Sequence, residues 1–405
     1  MSDLAGATVS ARPMVRLRPN RGRRLAEGAP WAYADEIAMD RRTKALASGT
    51  VVRLVGADRE FGTAAFNPES QIAARLLDPD PEATIDATWF AARIDRALAL
   101  RRALYREPYY RLVHAEGDGL PGLVIDRFGS TLVIQPNAAW VDRLIPAVVA
   151  GLDAFPELSP ETVVINATAR VRRLEGLAEH LTLHRGSLDG PVPVPIGGAT
   201  YLADLQGGQK TGIFYDQRPN HAFLAGLAAG MRVLDVFTHT GGFALACLAA
   251  GAVSALAVDS SASALALAER GAEATGVADR FVTLKADAFD ALRELSGEGR
   301  RFDIVVCDPP AFAPNRQAVE AGLRAYEKTA RLAAAVTAPG GLVVLCSCSG
   351  AVGMEPFRET CAKGILRAGR QGALIHAGRA GPDHPSHLAL PETGYLKALV
   401  FRLDA

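Results

Sequence analysis

Residues 232–251 read "RVLDVFTHTGGFALACLAAG". The run "RVLDVF" is short and apolar, as a strand covered on both faces should be, and "GGFALACLAAG" has the composition of a buried helix. Between them Gly241 and Gly242 form a turn where backbone can approach a ligand and a helix can start. The turn is not G-x-G-x-x-G and lacks the lysine of a phosphate-cradling loop, which disfavours a dinucleotide. Working outward, "SALAVD" (254–259), "FVTLKAD" (281–287), "FDIVVCD" (302–308) and "GLVVLCS" (341–347) alternate with helical segments such as 260–276 and 320–336. Strand and helix alternating at these lengths predict successive βαβ units, hence a doubly wound α/β sheet with helices on both faces. The segments "QGALIHAGR" (371–379) and "GYLKALVFRL" (394–403) predict two further strands at the sheet edge.

In such a sheet, ligands bind beyond the carboxyl ends of the strands, so the residues that end each strand carry the functional information. Asp235 ends the first strand. Asp259 ends the second, where an acid accepts hydrogen bonds from ribose hydroxyls, and Asp287 follows the third, within reach of an adenine amino group. The fourth strand ends "CDPPAF" (307–312), a rigid Asp-Pro-Pro. An aspartate after a strand is also a common helix N-cap, and Asp287 before "AFDALREL" fits that role by itself. Three acids after three successive strands, with a glycine turn after the first, are harder to explain as caps. Together they point to an adenosine cofactor without a large phosphate load, of which S-adenosylmethionine is the simplest.

The fifth strand ends in "CSCSG" (346–350). Side chains two apart in a strand share a face, so Cys346 and Cys348 lie together, with Cys346 inside the sheet and Cys348 at its end. Only Cys348 is placed to reach a ligand, while Cys346 reads as a small buried hydrophobe. Cys307 should point away from Asp308 by the same alternation. The chain has five cysteines, an odd number, and no repeated CxxC pairs, which argues against a disulfide framework or a structural zinc site and suits a cytoplasmic protein with reduced thiols.

At 405 residues, 49% of them apolar, the chain should form two or three domains. The formal net charge is zero, which excludes a globally basic nucleic-acid binder but permits a local basic surface. "MSDLAGATVSA" (1–11) has no apolar core of the signal-peptide kind and reads as a frayed tail, and no stretch is long enough to span a membrane. "RPMVRLRPNRGRR" (12–24) carries six arginines and no acid, ahead of alternating short strands to residue 77. Its reading is a small β-rich module whose basic edge is either a solvated face or an RNA-binding surface. Residues 88–105 predict a helix, residues 110–137 two or three short strands, and residues 140–152 another helix, together a compact α+β domain. Glu116, Asp118 and Asp126 stand beside glycine turns and are read as turn formers rather than metal ligands; no metal site is expected. "TARVRRLEG" (168–176), with Arg170, Arg172 and Arg173, is a candidate extension of the basic track or another solvated face.

These residues resemble a known family. The set "VLDVFTHTGGFALACLAAGA", "AVDSS", "DPPAF" and "SCSG" is similar to the class I S-adenosylmethionine-dependent methyltransferases, and in particular to the bacterial large-subunit rRNA cytosine-C5 methyltransferases. The likeness extends over almost the whole chain, through "HAEGDGLPGLVIDRFG" (114–129), "GGQKTGIFYDQR" (207–218) and "DHPSHLALPETGYLKALVFR" (383–402). It implies a PUA-like RNA-binding domain over 1–78, a central α+β domain over 79–197 and a Rossmann-like catalytic domain over 198–405. By position it implies that Gln217 and Arg218 border the cofactor, that Asp235, Phe237, Thr238, Gly241 and Phe243 surround its methionine end, that Asp259 and Ser260 meet the ribose, and that Asp287 and Ala288 meet the adenine. Asp308, Pro309, Pro310 and Phe312 would face the target base, with Asp308 also beside the cofactor. Cys348 matches the family's thiol nucleophile, and Asp308 would act on the cytosine N3 edge. Arg21, Arg23 and Arg24 become candidate phosphate contacts to rRNA, and the family's pairing through catalytic domains implies a homodimer. One departure is His239, where members often carry tyrosine. The competing functions are an rRNA guanine N-methyltransferase of the same fold, needing no thiol, and a non-catalytic RNA-binding or ribosome-assembly protein. A nicotinamide-dependent dehydrogenase is disfavoured by the missing glycine fingerprint.

Overall fold

The computed structural model describes residues 12–158, 160–207 and 212–404. The tail read from 1–11 and the middle of the block 207–218 lie outside the described residues. Near the N-terminus, strands Met14–Arg16, Thr50–Val55, Glu60–Phe66, Ala74–Asp78 and Trp31–Ala32 form one five-stranded sheet in that spatial order. Its core is small, with Val15, Ile37, Leu54 and Phe66 fully buried.

The next sheet also has five strands, in the order His180–Arg185, Thr162–Ala167, Thr131–Pro136, Leu123–Phe128 and Tyr109–His114; the stretch 110–137 supplies three of them, and the other two follow the helices. His180–Arg185 is an exposed edge strand: its Leu181 and Leu183 alternate with polar residues but stay largely in solvent. Helix Ala87–Leu104 forms as predicted, capped by Asp86, whose side chain accepts from Trp89 N. The single helix expected over 140–152 is two, Ala139–Arg143 and Ile145–Asp153, with Pro146 in the first turn of the second, where its missing N–H costs nothing. Phe90 stacks on Trp140 at 5.7 Å between ring centres in the core between helix and sheet.

The C-terminal sheet positions the candidate site. Its strands are β1 Arg232–Val236, β2 Ser254–Asp259, β3 Phe281–Lys285, β4 Phe302–Cys307, β5 Thr337–Ser347, β6 Gly372–Gly378 and β7 Lys397–Leu403, in spatial order β3-β2-β1-β4-β5-β7-β6. The first five pair in parallel; β7 inserts antiparallel between β5 and β6. The helices are α1 Arg218–Ala225, α2 Gly242–Ala249, α3 Ala262–Thr275, α4 Ala288–Gly297, α5 Val319–Ala335 and α6 Met354–Arg367. Strand alternation divides the apolar side chains between two cores. Val233, Ala257, Val306, Val344 and Cys346 pack on one face, and Leu234, Val236, Val258, Val305, Cys307 and Leu345 on the other. Each such Val or Leu contributes about 1.5–3 kcal/mol by leaving water, which is why these strands read as continuous apolar runs. In register, Asp235 lies beside Ala257 and Val306, and Cys307 beside Leu345, so the carboxyl ends of β1, β2, β4 and β5 open on one rim. Among the described residues, no helix is long and apolar enough to cross a membrane.

Candidate active site

The turn after β1 is held by Asp235. The residue is 1% exposed, and its Oδ2 accepts from Thr238 Oγ1 at 2.7 Å and from Ala244 N at 3.0 Å. Burial pushes its carboxyl up to about 6, against the pull of those two bonds. Its Oδ1 is buried without a protein partner, a costly arrangement unless something else donates to it. Phe237 and His239 take positive φ, 64° and 52°, a strain that marks functional turns. Gly241 follows at φ 86°, where a Cβ would also come within 3.0 Å of Leu245. His239 packs its ring edge-on against Phe214, 5.1 Å between centres. Phe243 is buried, packed against His221.

Asp259 is half-buried and ties the next strand to this turn: Oδ2 accepts from His239 N at 2.9 Å and Oδ1 from Ser261 N at 2.9 Å. A carboxylate has further lone pairs for a ligand. Ser260 beside it is exposed. Asp287 is the N-cap of α4, its Oδ1 accepting from Phe289 N and Asp290 N, so the helix-cap role is present; Ala288 behind it is buried. Three aromatic rings stand between these acids: Phe237, Phe289 and Phe312, with centres 6.3–6.5 Å apart. All three are half-buried and form an apolar wall on the rim. Phe289 was not singled out from sequence; a Phe inside an ordinary amphipathic helix start gives no signal.

Asp308 follows β4 and accepts from Gln217 Nε2 at 3.0 Å. Gln217 is buried, and its carbonyl accepts from Asn220 Nδ2 at 2.6 Å, which fixes the amide so that its NH2 faces the carboxylate. Arg218 turns the other way: its guanidinium donates to Tyr109 O and lies 4.2 Å from the centre of the Tyr105 ring, joining the C-terminal sheet to the central one. Pro309 is buried and Pro310 exposed.

Cys348 lies one residue beyond β5, half-buried, whereas Cys247, Cys307, Cys346 and Cys361 are all buried. Burial, with Asp308 nearby, holds the Cys346 thiol well above its ordinary range, and burial does the same at Cys307. The turn around Cys348 is clamped by buried hydroxyls. Ser347 Oγ donates to Tyr326 OH at 2.9 Å, Tyr326 OH and Ser349 Oγ lie 2.7 Å apart, and Ser349 N donates to Ser347 Oγ at 3.2 Å. Ser349 Oγ also accepts from Ala313 N at 3.1 Å, fastening the Cys348 turn to the Asp308-Pro-Pro loop. Lys397, the first residue of β7, donates from Nζ to Ser349 O and Val352 O, both at 2.7 Å. Neither Tyr326 nor Lys397 was singled out from sequence.

The other candidates lie elsewhere. Arg21 is 3.6 Å from Asp35, Arg23 pairs with Glu27 at 2.7 Å, and Arg24 lies over Tyr33; Arg21 and Arg23 are exposed on the N-terminal module. Arg172 does not extend a basic track. It is 1% exposed, with its guanidinium spent on Ala178 O, Pro136 O and Asp142. Asp118 and Asp126 are engaged by Arg101 and Arg111, and Glu116 accepts from Trp31 Nε1. Among the described residues no group of His, Cys, Asp and Glu is arranged to hold a metal ion.

Comparison with known proteins agrees with this geometry. A family profile for S-adenosylmethionine-dependent methyltransferases matches residues 194–402, and one for PUA-like domains matches 15–79. A ribosomal RNA large subunit methyltransferase I of Shewanella denitrificans is 36% identical over 398 residues, covering 96% of this chain and 99% of its own. The chain belongs to the ribosomal RNA large subunit methyltransferase I family. A ribosomal RNA large subunit methyltransferase of Deinococcus radiodurans is 34% identical over 98% of this chain and 100% of its own. Among solved structures, a putative SAM-dependent methyltransferase from Streptococcus mutans superposes with a TM-score of 0.81 over 96% of this chain and 100% of its own, at 20% identity, a likeness of fold.

S-adenosylmethionine is the cofactor of the family, and the rim fits it. The unpartnered buried Oδ1 of Asp235 needs a donor, which an α-ammonium supplies. The strained turn brings backbone close, and the wall of Phe237, Phe289 and Phe312 suits a flat apolar base.

Proposed function

We propose that this chain methylates carbon 5 of a cytosine in large-subunit rRNA, in the cytoplasm, through a covalent adduct of Cys348. The substrate assignment rests on the named relatives. The observation that carries the chemistry is the setting of Cys348: of the five cysteines it alone is not buried, and it sits in a turn fastened to the Asp308 loop.

When bound, S-adenosylmethionine supplies an electrophilic methyl group; Asp235, Phe237, Thr238 and Gly241 would hold its methionine end, Asp259 and Ser260 its ribose, and Asp287 with the aromatic wall its adenine. Carbon 5 of cytosine is a poor nucleophile until a nucleophile adds at carbon 6, and a thiolate suits that addition. Cys348 forms the C6–S bond, which leaves C5 enamine-like. Asp308 in its acid form, oriented by Gln217 and Asn220, protonates N3 of the base and so draws electrons from C6 as sulfur attacks, and takes that proton back when the C6–S bond breaks. Pro309, Pro310 and Phe312 shape the space for the base. Once C5 carries the methyl group, a base takes the C5 proton and the C6–S bond breaks, restoring the aromatic ring and the thiolate. A cytosine within a helix must be flipped out to reach Cys348, and Arg21, Arg23 and Arg24 supply phosphate contacts that hold the RNA. The homodimer belongs to this proposal through the family resemblance; sedimentation of the pure protein tests it.

The test of the reaction is nucleoside mass spectrometry of large-subunit rRNA incubated with protein and isotopically labelled S-adenosylmethionine, wild type beside Cys348→Ala. Label should appear in 5-methylcytidine and vanish in the variant. Label in a methylguanosine that survives the substitution would keep the fold and overturn the chemistry.

A further inference from the structure

A thiol that must act as a nucleophile needs a cation to favour its ionised form, because free cysteine titrates near pH ~8.5. No residue close to Cys348 in sequence supplies one. The fold does so from the other end of the domain. Lys397 pairs with Ser347 across the antiparallel ladder of β7 and β5, so its side chain reaches the turn that carries Cys348. It is 4% exposed, and Nζ gives two hydrogen bonds to the carbonyls of Ser349 and Val352, the residues flanking that turn. A buried ammonium is costly and seldom kept without a partner. Two neutral carbonyls orient it but do not neutralise it.

Lys397 and Cys348 also interact electrostatically. Burial pulls the Lys397 ammonium down to about 8, and the cysteine acts in the opposite direction, favouring the charged lysine. Coupling of this kind is reciprocal: if the thiolate stabilises the ammonium, the ammonium stabilises the thiolate by the same free energy. Tyr326 from α5, which burial keeps protonated, and Tyr395, which burial and Asp216 keep protonated, also interact with this thiol. Asp216 accepts from Tyr395 OH at 2.6 Å, and Asp308 stands across the cleft in the loop fastened to Ser349. Those carboxylates oppose a thiolate, which makes the placement of a cation matter more.

We propose that Lys397 is a positioning residue that holds Cys348 as a thiolate, through its charge rather than through its hydrogen bonds to the turn. This rests on the reading of Cys348 as the nucleophile.

The test needs neither RNA nor methyl transfer, so it fails separately from that reading. Iodoacetamide alkylates a cysteine when its thiolate displaces iodide. The rate at Cys348 is followed by peptide mass spectrometry across pH 5.5–10 in the full chain, with Cys348→Ala identifying the peptide. The wild-type midpoint should lie below the ordinary value of ~8.5. Lys397→Gln keeps N–H donors for the two carbonyls but removes the charge. Its midpoint should rise by about one pH unit, with a loss of up to about tenfold in rate at pH 7, while S-adenosylmethionine affinity stays at the wild-type value. A purely structural lysine would leave the midpoint unmoved in Lys397→Gln, which overturns the proposal. A wild-type midpoint at or above the ordinary value overturns it without any variant.

Discussion

Replacing Asp235 with asparagine should abolish the loss of stability that the β1–α2 turn suffers as pH rises while weakening cofactor binding, and the size follows from its burial. The carboxyl is 1% exposed and titrates at about 6 in the fold, against an ordinary 3.8. Its pKa is raised on folding, so the stability it confers is complete below pH 3.8, falls as pH rises towards 6, and is lost above that. The difference corresponds to about 3 kcal/mol. Asparagine does not titrate. It leaves a buried NH2 where Oδ1 has no partner, a cost that is the same at every pH and so cancels from the pH difference. Amide exchange of the β1 residues, corrected for intrinsic rates, reads the local opening free energy. Between pH 4 and 7 the wild type should lose up to about 3 kcal/mol relative to Asp235→Asn, with parallel behaviour above pH 7. Profiles that run parallel throughout, or a wild type that gains on the variant over that range, would refute the reasoning. Cofactor affinity should move the other way, falling about tenfold or more as a charge-assisted hydrogen bond is lost.

Three other perturbations have defined outcomes. Tyr326→Phe removes the hydroxyl that Ser347 and Ser349 share, which should cost about 1–3 kcal/mol in exchange protection around 347–349 and lower kcat more than it raises KM for either substrate. Gln217→Met strips Asp308 of its 3.0 Å donor; kcat should fall about tenfold, the value of one hydrogen bond to a charged group, with single-turnover rates showing the loss in the chemical step. Replacing Arg21, Arg23 and Arg24 with alanine should weaken RNA binding and flatten its salt dependence, by about 0.7–0.9 in log–log slope for each phosphate no longer neutralised; an unchanged slope removes the module's arginines from the interface.

The catalytic sheet was legible because both its faces are covered. Apolar strands, the first four ended by an acid or Asp-Pro-Pro and the fifth by the cysteine pair, announce a parallel sheet and its functional rim together. The edge strand His180–Arg185 was not read from sequence: its two leucines alternate with polar residues, but the run is short and polar and its side chains remain exposed. Asp287 shows the limit of spacing: its cap bonds to Phe289 and Asp290 are what the helix-cap reading predicts, and they leave its other oxygen for a ligand. Arg172 looked like part of a solvent-facing basic run, but loop carbonyls at Pro136 and Ala178 converge on it and bury it. Tyr326 and Lys397 were silent for a topological reason. One projects from the middle of α5 and the other opens β7, and they meet the Cys348 turn only because α5 packs behind it and β7 inserts beside β5. Sequence spacing reports what lies along one element; these contacts lie between elements.

The central claim is the bond between Cys348 and the target base. Its most direct measurement uses large-subunit rRNA transcribed with 5-fluorocytidine, whose C5 fluorine cannot be removed as a proton, so a C6–S adduct that has accepted a methyl group persists. Incubated with S-adenosylmethionine and denatured, the wild type should migrate as a protein–RNA complex whose digested peptide carries the modified base on Cys348, and Cys348→Ala should form none. Free protein in the wild-type lane, or the same complex from the alanine variant, would contradict the account.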